Sequence, residues 1–270
     1  MRATVHELAV GPGRVLRVFD AGPPAGTPLL LLPALGTTAQ LWAPQLALTE
    51  TGWRVLRIEA PGHGGAPEWP DLSLDTLAAA VAAIPDALHL GPLTLAGTSM
   101  GAVIALRAAA RADRRVARLI LCGARLQRAG AAARELGQRF TTSQNDLGQV
   151  ATTMVGRWFP PACAAGHPPG WRDAALAELA AMVRATAPAS YAACAQALAS
   201  YDLLPELRAL QQRAVLVTGA LDEDIPEHFA ALQGACPAAR LVVLPGVGHF
   251  PAYEAPESFA ALLASPTAPT

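Results

Sequence analysis

The segment Gly97-Thr98-Ser99-Met100-Gly101 lies between an apolar run, Leu93-Thr94-Leu95-Ala96, and a helix-forming run that begins at Met100. That placement asks the chain to leave a buried strand, turn sharply and enter a helix with a serine at the corner. Glycines on either side let the strand and helix backbones approach where side chains would collide, leaving the Ser99 hydroxyl exposed at the turn. The helix N-terminus beneath it offers free N–H groups and a positive dipole end to developing negative charge. The five-residue pattern alone is weak, because glycine and serine are common. The strand before it and the helix after it give it weight.

The rest of the chain supplies the matching architecture. Short apolar runs bounded by turn residues recur at Leu29–Leu32, Val55–Ile58, Leu93–Ala96 and Leu119–Leu121, and again at Val215–Thr218 and Leu241–Leu244. They lack polar alternation, as expected of strands covered on both faces. Helix-compatible stretches lie between them, at Leu74–Ile84 and Met100–Arg111, with a last helix near Pro256–Ala264. This alternation predicts right-handed βαβ units and an α/β fold built on a mostly parallel sheet. Thr4–Val10 and Leu16–Asp20, joined by Gly11-Pro12-Gly13, read as an antiparallel hairpin at the sheet edge. From Arg125 to Leu204 no strand is evident, and helical stretches are broken by Pro160-Pro161 and Pro168-Pro169-Gly170. The expected division is a core of residues 1–124 and 205–270 with a helical cap, 125–204, over the C-terminal edge of the sheet, where ligands of such sheets bind.

Composition narrows the function. A formal net charge of −1, with every basic residue an arginine scattered among acids, argues against nucleic acid. The run Arg107, Arg111, Arg114, Arg115, Arg118 reads as the solvated side of an Ala-rich helix and the turn after it. No segment approaches the ~18 uninterrupted apolar residues of a membrane span, and no signal core opens the chain. Cys122, Cys163, Cys194 and Cys236 show neither C-x-x-C pairing nor Cys/His metal spacing, so buried thiols in a reducing, cytoplasmic setting are expected, with no metal. A homo-oligomer is compatible with this composition.

A serine hydroxyl needs a base to take its proton, and the base needs an orienting acid. In this strand order the acid and then the histidine should each follow a later strand. Asp222 stands three residues past Gly219, at the end of Val215–Thr218, and His249 follows Leu241–Leu244 in a Gly-rich loop. Asp224 is the rival acid, disfavoured by its spacing from Gly219 and Pro226, and Glu223 should point elsewhere. His63, in Pro61-Gly62-His63-Gly64-Gly65, reads as shaping a turn near the pocket. His6, His89 and His228 read as surface or packing residues, and His167, between the proline pairs, is not expected to touch substrate. The oxyanion would lie between the Met100 amide and one from the loop Pro33-Ala34-Leu35-Gly36, with Leu35 as donor because Pro33 has no N–H.

These residues resemble the α/β-hydrolase superfamily over nearly the whole chain, and within it most of all the 3-oxoadipate enol-lactonases. The likeness is carried by Leu35-Gly-Thr-Thr-Ala-Gln-Leu-Trp42-Ala-Pro-Gln45, Arg54-Val-Leu-Arg57 with Gly62-His-Gly64, and Ser99-Met-Gly101. Arg157-Trp-Phe159, Ser190-Tyr-Ala-Ala-Cys194 and Asp202-Leu203 carry it through the middle of the chain. The resemblance implies Ser99, Asp222 and His249 as a catalytic triad, Trp158 lining the pocket, and Arg157 meeting a substrate carboxylate. The chain departs from the family pattern at Pro33-Ala34, Glu59 and Ala66. The implied activity is opening of a small lactone or cleavage of a small carboxylic ester through an acyl-enzyme, with no cofactor. A carboxylesterase or thioesterase shares these residues. So does a lyase or cofactor-free oxygenase with His249 as base, or a ligand receptor.

Overall fold

The computed structural model describes residues 3–128, 146–223 and 225–264. Its sheet is built from β1 (Thr4–Gly11), β2 (Arg14–Ala21), β3 (Thr27–Leu32), β4 (Trp53–Glu59), β5 (Leu93–Thr98), β6 (Val116–Cys122), β9 (Ala214–Gly219) and β10 (Arg240–Leu244). Their spatial order is β1-β2-β4-β3-β5-β6-β9-β10. The first two strands form the expected edge hairpin, β2 runs antiparallel to β4, and all later neighbours are parallel. This is the α/β-hydrolase fold. The order reverses between β3 and β5, so the loops leaving those two strands diverge and open a crevice at their carboxyl ends. Ser99 and Leu35 follow those two strand ends.

Burial explains the strand signals. Every residue of β5 and of β9 is buried, which is why these runs show no polar alternation. Strand β10 differs: it pairs only with β9, and Val243 is 44% exposed, so it is an edge strand rather than one covered on both faces. Helix α1 (Leu74–Ala87) starts at a reciprocal cap, in which Ser73 Oγ accepts from Thr76 N and Thr76 Oγ accepts from Ser73 N. Helix α2 (Met100–Arg111) buries Ala102, Val103, Ile104, Ala105, Leu106, Ala108 and Ala109. Its alanines let it lie close to the sheet, and each large aliphatic side chain it buries contributes ~1.5–3 kcal/mol.

The arginine series divides. Arg107 pairs with Glu206 at 2.6 Å and Arg111 with Asp75 at 2.5 Å, while Arg115 pairs with Asp86. Arg118 corrects the expectation of a solvated face, being only 5% exposed. It lies in β6, and its Nη1 donates at 3.2 Å to the Leu263 carbonyl in α9 (Pro256–Ala264), where helical carbonyls run out of partners.

Between β6 and β9 stand α3 (Leu147–Trp158), α4 (Trp171–Arg184), α5 (Pro188–Ala197) and α6 (Leu204–Leu210). Two short strands that the sequence did not betray, β7 (Gln127–Arg128) and β8 (Tyr201–Asp202), pair antiparallel at the two ends of the segment. Two residues are too few to show a period, and the pairing is non-local. Helix α7 (Ile225–Ala235) lies between β9 and β10, and α8 (Pro251–Glu254) follows β10. All four cysteines are buried thiols. No helix among the described residues is long and apolar enough to cross a membrane.

Candidate active site

Ser99 adopts φ +54°, ψ −115°, in the region that L-residues rarely occupy. Holding a non-glycine residue there costs ~1–3 kcal/mol and needs firm support. Support comes from both sides: Ser99 N donates to Cys122 O at 2.8 Å, and Ser99 O accepts from Ala102 N at 3.0 Å and Val103 N at 3.2 Å. The flanking glycines are required by space. A Cβ on Gly97 would lie 2.2 Å from Gly101 O, and one on Gly101 would lie 2.2 Å from Leu32 O. Strand β5, helix α2 and the end of β3 therefore cross at van der Waals limits, and the serine side chain is left partly exposed above them.

Asp222 and His249 meet. His249 Nδ1 lies 3.0 Å from both Asp222 Oδ1 and Oδ2, so the ring carries its proton on Nδ1 and leaves Nε2 as an acceptor. Their two loops are laced together, because Ala220 N donates to Leu244 O and Leu221 N to Val247 O. Both side chains line the cavity that Ser99 lines, which encloses about 120 Å³. The Ser99 side chain makes no capping hydrogen bond to the helix that it begins, and a catalytic hydrogen bond of this kind often tightens only when substrate is bound. The rival acid Asp224 falls outside the described residues.

Leu35 and Met100 also line this cavity. Leu35 sits in a turn closed by Thr37 N donating to Ala34 O at 3.1 Å, with Gly36 at φ +75°. His63 fixes that turn from below. Its Nε2 accepts from Gly36 N at 3.1 Å and its Nδ1 donates to Pro61 O at 2.9 Å. The ring is fully buried, and burial pulls its pKa from 6.5 to about 4, against the opposing effect of the Pro61 bond. It is a neutral imidazole that holds a backbone loop.

Trp158 and Arg157 end α3 at the cavity. The Trp158 ring is stacked on His249 at 9°, with centroids 6.3 Å apart, and Trp158 O accepts from His249 N at 3.0 Å. Arg157 lines the cavity wall and ion-pairs with Glu223 at 2.6 Å. Arg125, Arg128 and Tyr201 line it too, none of them singled out in the sequence. His167 stacks on Trp171 and lines a different hollow. His6 and His228 have partners the sequence did not suggest, Asp20 at 3.2 Å and the Leu126 amide at 2.9 Å. Glu254 was missed as well. It is a carboxylate only 2% exposed beside the His249 loop, and its sequence signal is an acid five residues after a histidine in a Gly-rich loop. Among the described residues, no group of His, Cys, Asp and Glu could hold a metal ion.

Comparison with known proteins bears on the family and the fold. A family model described as "Alpha/beta hydrolase family" matches residues 29–262. A dihydrolipoyllysine-residue acetyltransferase component of the acetoin cleaving system from Pseudomonas putida is 39% identical over 113 residues, 40% of this chain but only 30% of that protein. A pimeloyl-[acyl-carrier protein] methyl ester esterase from Nitrosomonas europaea is 26% identical over 87% of this chain and 93% of its own length. The crystal structure of the enol-lactonase from Burkholderia xenovorans LB400 superposes with a TM-score of 0.84 at 26% identity, covering 95% of this chain and 97% of that one.

Proposed function

The chain belongs to the alpha/beta hydrolase family, and from that premise we propose that it is a serine hydrolase that opens a small lactone or cleaves a small carboxylic ester. The observation that carries this reading is the paired contact of His249 Nδ1 with both Asp222 oxygens in a cavity shared with the strained Ser99. In this reading Ser99 Oγ attacks the carbonyl carbon while His249 Nε2 takes its proton, and Asp222 steadies the imidazolium. The carbonyl oxygen becomes an oxyanion between the Leu35 and Met100 amides. His249 then returns the proton to the departing oxygen, which in a lactone stays attached to the acyl chain. A water, deprotonated by His249, releases the acid and regenerates Ser99.

In this reading the segment 125–204, of which 129–145 lie outside the described residues, is a cap over a core of residues 1–124 and 205–270, and the cap selects the substrate. On the same reading Trp158 packs against the acyl group, and Arg157, which lines the cavity wall, meets a substrate carboxylate. The neighbours named as a methyl ester esterase and an enol-lactonase support ester chemistry. The test is turnover of a panel of lactones, short esters and acyl thioesters by the purified protein, with Ser99→Ala as control. Carboxylated lactones or esters should be the best substrates, and the alanine variant should be inert. Turnover that survives Ser99→Ala, or better turnover of thioesters than of either ester class, would contradict this reading.

A further inference from the structure

We propose that Glu254 is a positioning residue for His249, a buried carboxylate that grips the peptide groups on both sides of the base. The proposal rests on the hydrolytic reading above. Three successive amides carry the histidine, and all three are engaged: Gly248 N donates to Glu254 Oε2 at 2.7 Å, His249 N to Trp158 O at 3.0 Å, and Phe250 N to Glu254 Oε1 at 2.8 Å. Glu254 N donates back to Phe250 O at 2.9 Å, so the acid and the loop fix each other. The segment before the histidine, Gly246-Val247-Gly248, contains two glycines and is intrinsically free to move, with Gly246 at φ +73°. A loop of that kind holds a base in register only if something outside it does the holding.

The chemistry asks for an anion at this position. Both amides can only donate, and Cys163 is a third donor, since burial pushes its thiol up to about 12 and keeps its proton on sulfur. Burial raises the Glu254 pKa, while the Gly248 and Phe250 bonds oppose that rise. An ionised Glu254 also places negative charge behind His249, where it favours the imidazolium formed when Ser99 gives up its proton. A glutamine of the same size could satisfy one amide but would turn its own N–H₂ toward the other. Other charged or titratable groups around the ring are Asp222, Cys163 with Arg172 behind it, and the Arg157–Glu223 pair, Arg125 and Arg128 on the cavity wall.

Glu254→Gln and Glu254→Asp in the full chain test this, with p-nitrophenyl butyrate as substrate and fluorophosphonate titration to count working sites. In Glu254→Gln, kcat per titrated site should fall about 10- to 100-fold with KM within about twofold, the pattern of a base held out of line. Glu254→Asp keeps the charge but shortens the reach, so it should recover part of the lost kcat. Should the glutamine variant not fold, the aspartate variant alone decides, by a loss of kcat per titrated site with KM unmoved. A folded variant with kcat within about twofold of wild type would overturn the proposal, as would a glutamine variant whose KM rises in step with the fall in kcat. A wild-type protein that neither turns over ester nor reacts at Ser99 would overturn the hydrolytic reading as well, which separates the two failures.

Discussion

Acidification should destabilise the protein through His63 before it reaches the carboxylates. The native ring is neutral, with Nε2 accepting from Gly36 N and Nδ1 donating to Pro61 O, and its pKa is held at about 4 against an ordinary 6.5. Between those values the unfolded chain binds a proton that the native state refuses, so stability must fall as pH falls. The contribution is fully present above pH 6.5 and is lost on descent toward 4. Going from about pH 7 to about pH 4.5, the linkage integral amounts to roughly 2 kcal/mol for this one ring. The assay is urea unfolding at both pH values for the wild type and for His63→Gln. His228 is also pulled down to about 4, by burial first and then by Arg125 and Arg128, but it is common to both proteins and cancels in the difference. The wild type should lose roughly 2 kcal/mol more than the variant over this interval. Equal losses would refute the assignment of His63 as a buried neutral acceptor, and with it the argument that His63 sets the Leu35 turn.

Two further substitutions probe the elbow and the cavity wall. Gly101→Ala would drive a methyl to within 2.2 Å of the Leu32 carbonyl, which should cost at least ~2 kcal/mol in urea unfolding; a shift within ~0.5 kcal/mol would mean that the crossing of α2 and β3 is looser than described. Arg157→Leu breaks an exposed ion pair with Glu223, so stability should change by less than ~1 kcal/mol. KM should nevertheless rise about tenfold or more for a carboxylated ester and stay flat for its neutral analogue; a parallel change for both would remove Arg157 from carboxylate recognition.

The legible parts of the molecule were those written in local pattern. Helix α2 and helix α9 occupy the segments expected from composition and turn residues, and the central strands appear where uninterrupted Leu and Val runs stand. Asp222 and His249 were found because each follows a strand end at short range, and the sheet brings those ends together. What escaped notice depends on partners far along the chain. Arg118 reads as a surface cation until its contact with Leu263 is seen, and the β7–β8 pair joins residues more than seventy positions apart. Val243 looks like core because edge and centre strands share a composition when one face is covered. Glu254 carries no sequence mark of burial, since a charged residue gains its partners, here the Gly248 and Phe250 amides, only on folding.

The central claim is that Ser99 is a nucleophile activated by His249 and Asp222, and fluorophosphonate labelling followed by peptide mapping tests it most directly. The folded protein should take up a single phosphonyl group, mapped to Ser99, at a rate that collapses in His249→Ala. A folded protein that takes up none, or an adduct mapped to any other residue, would contradict it.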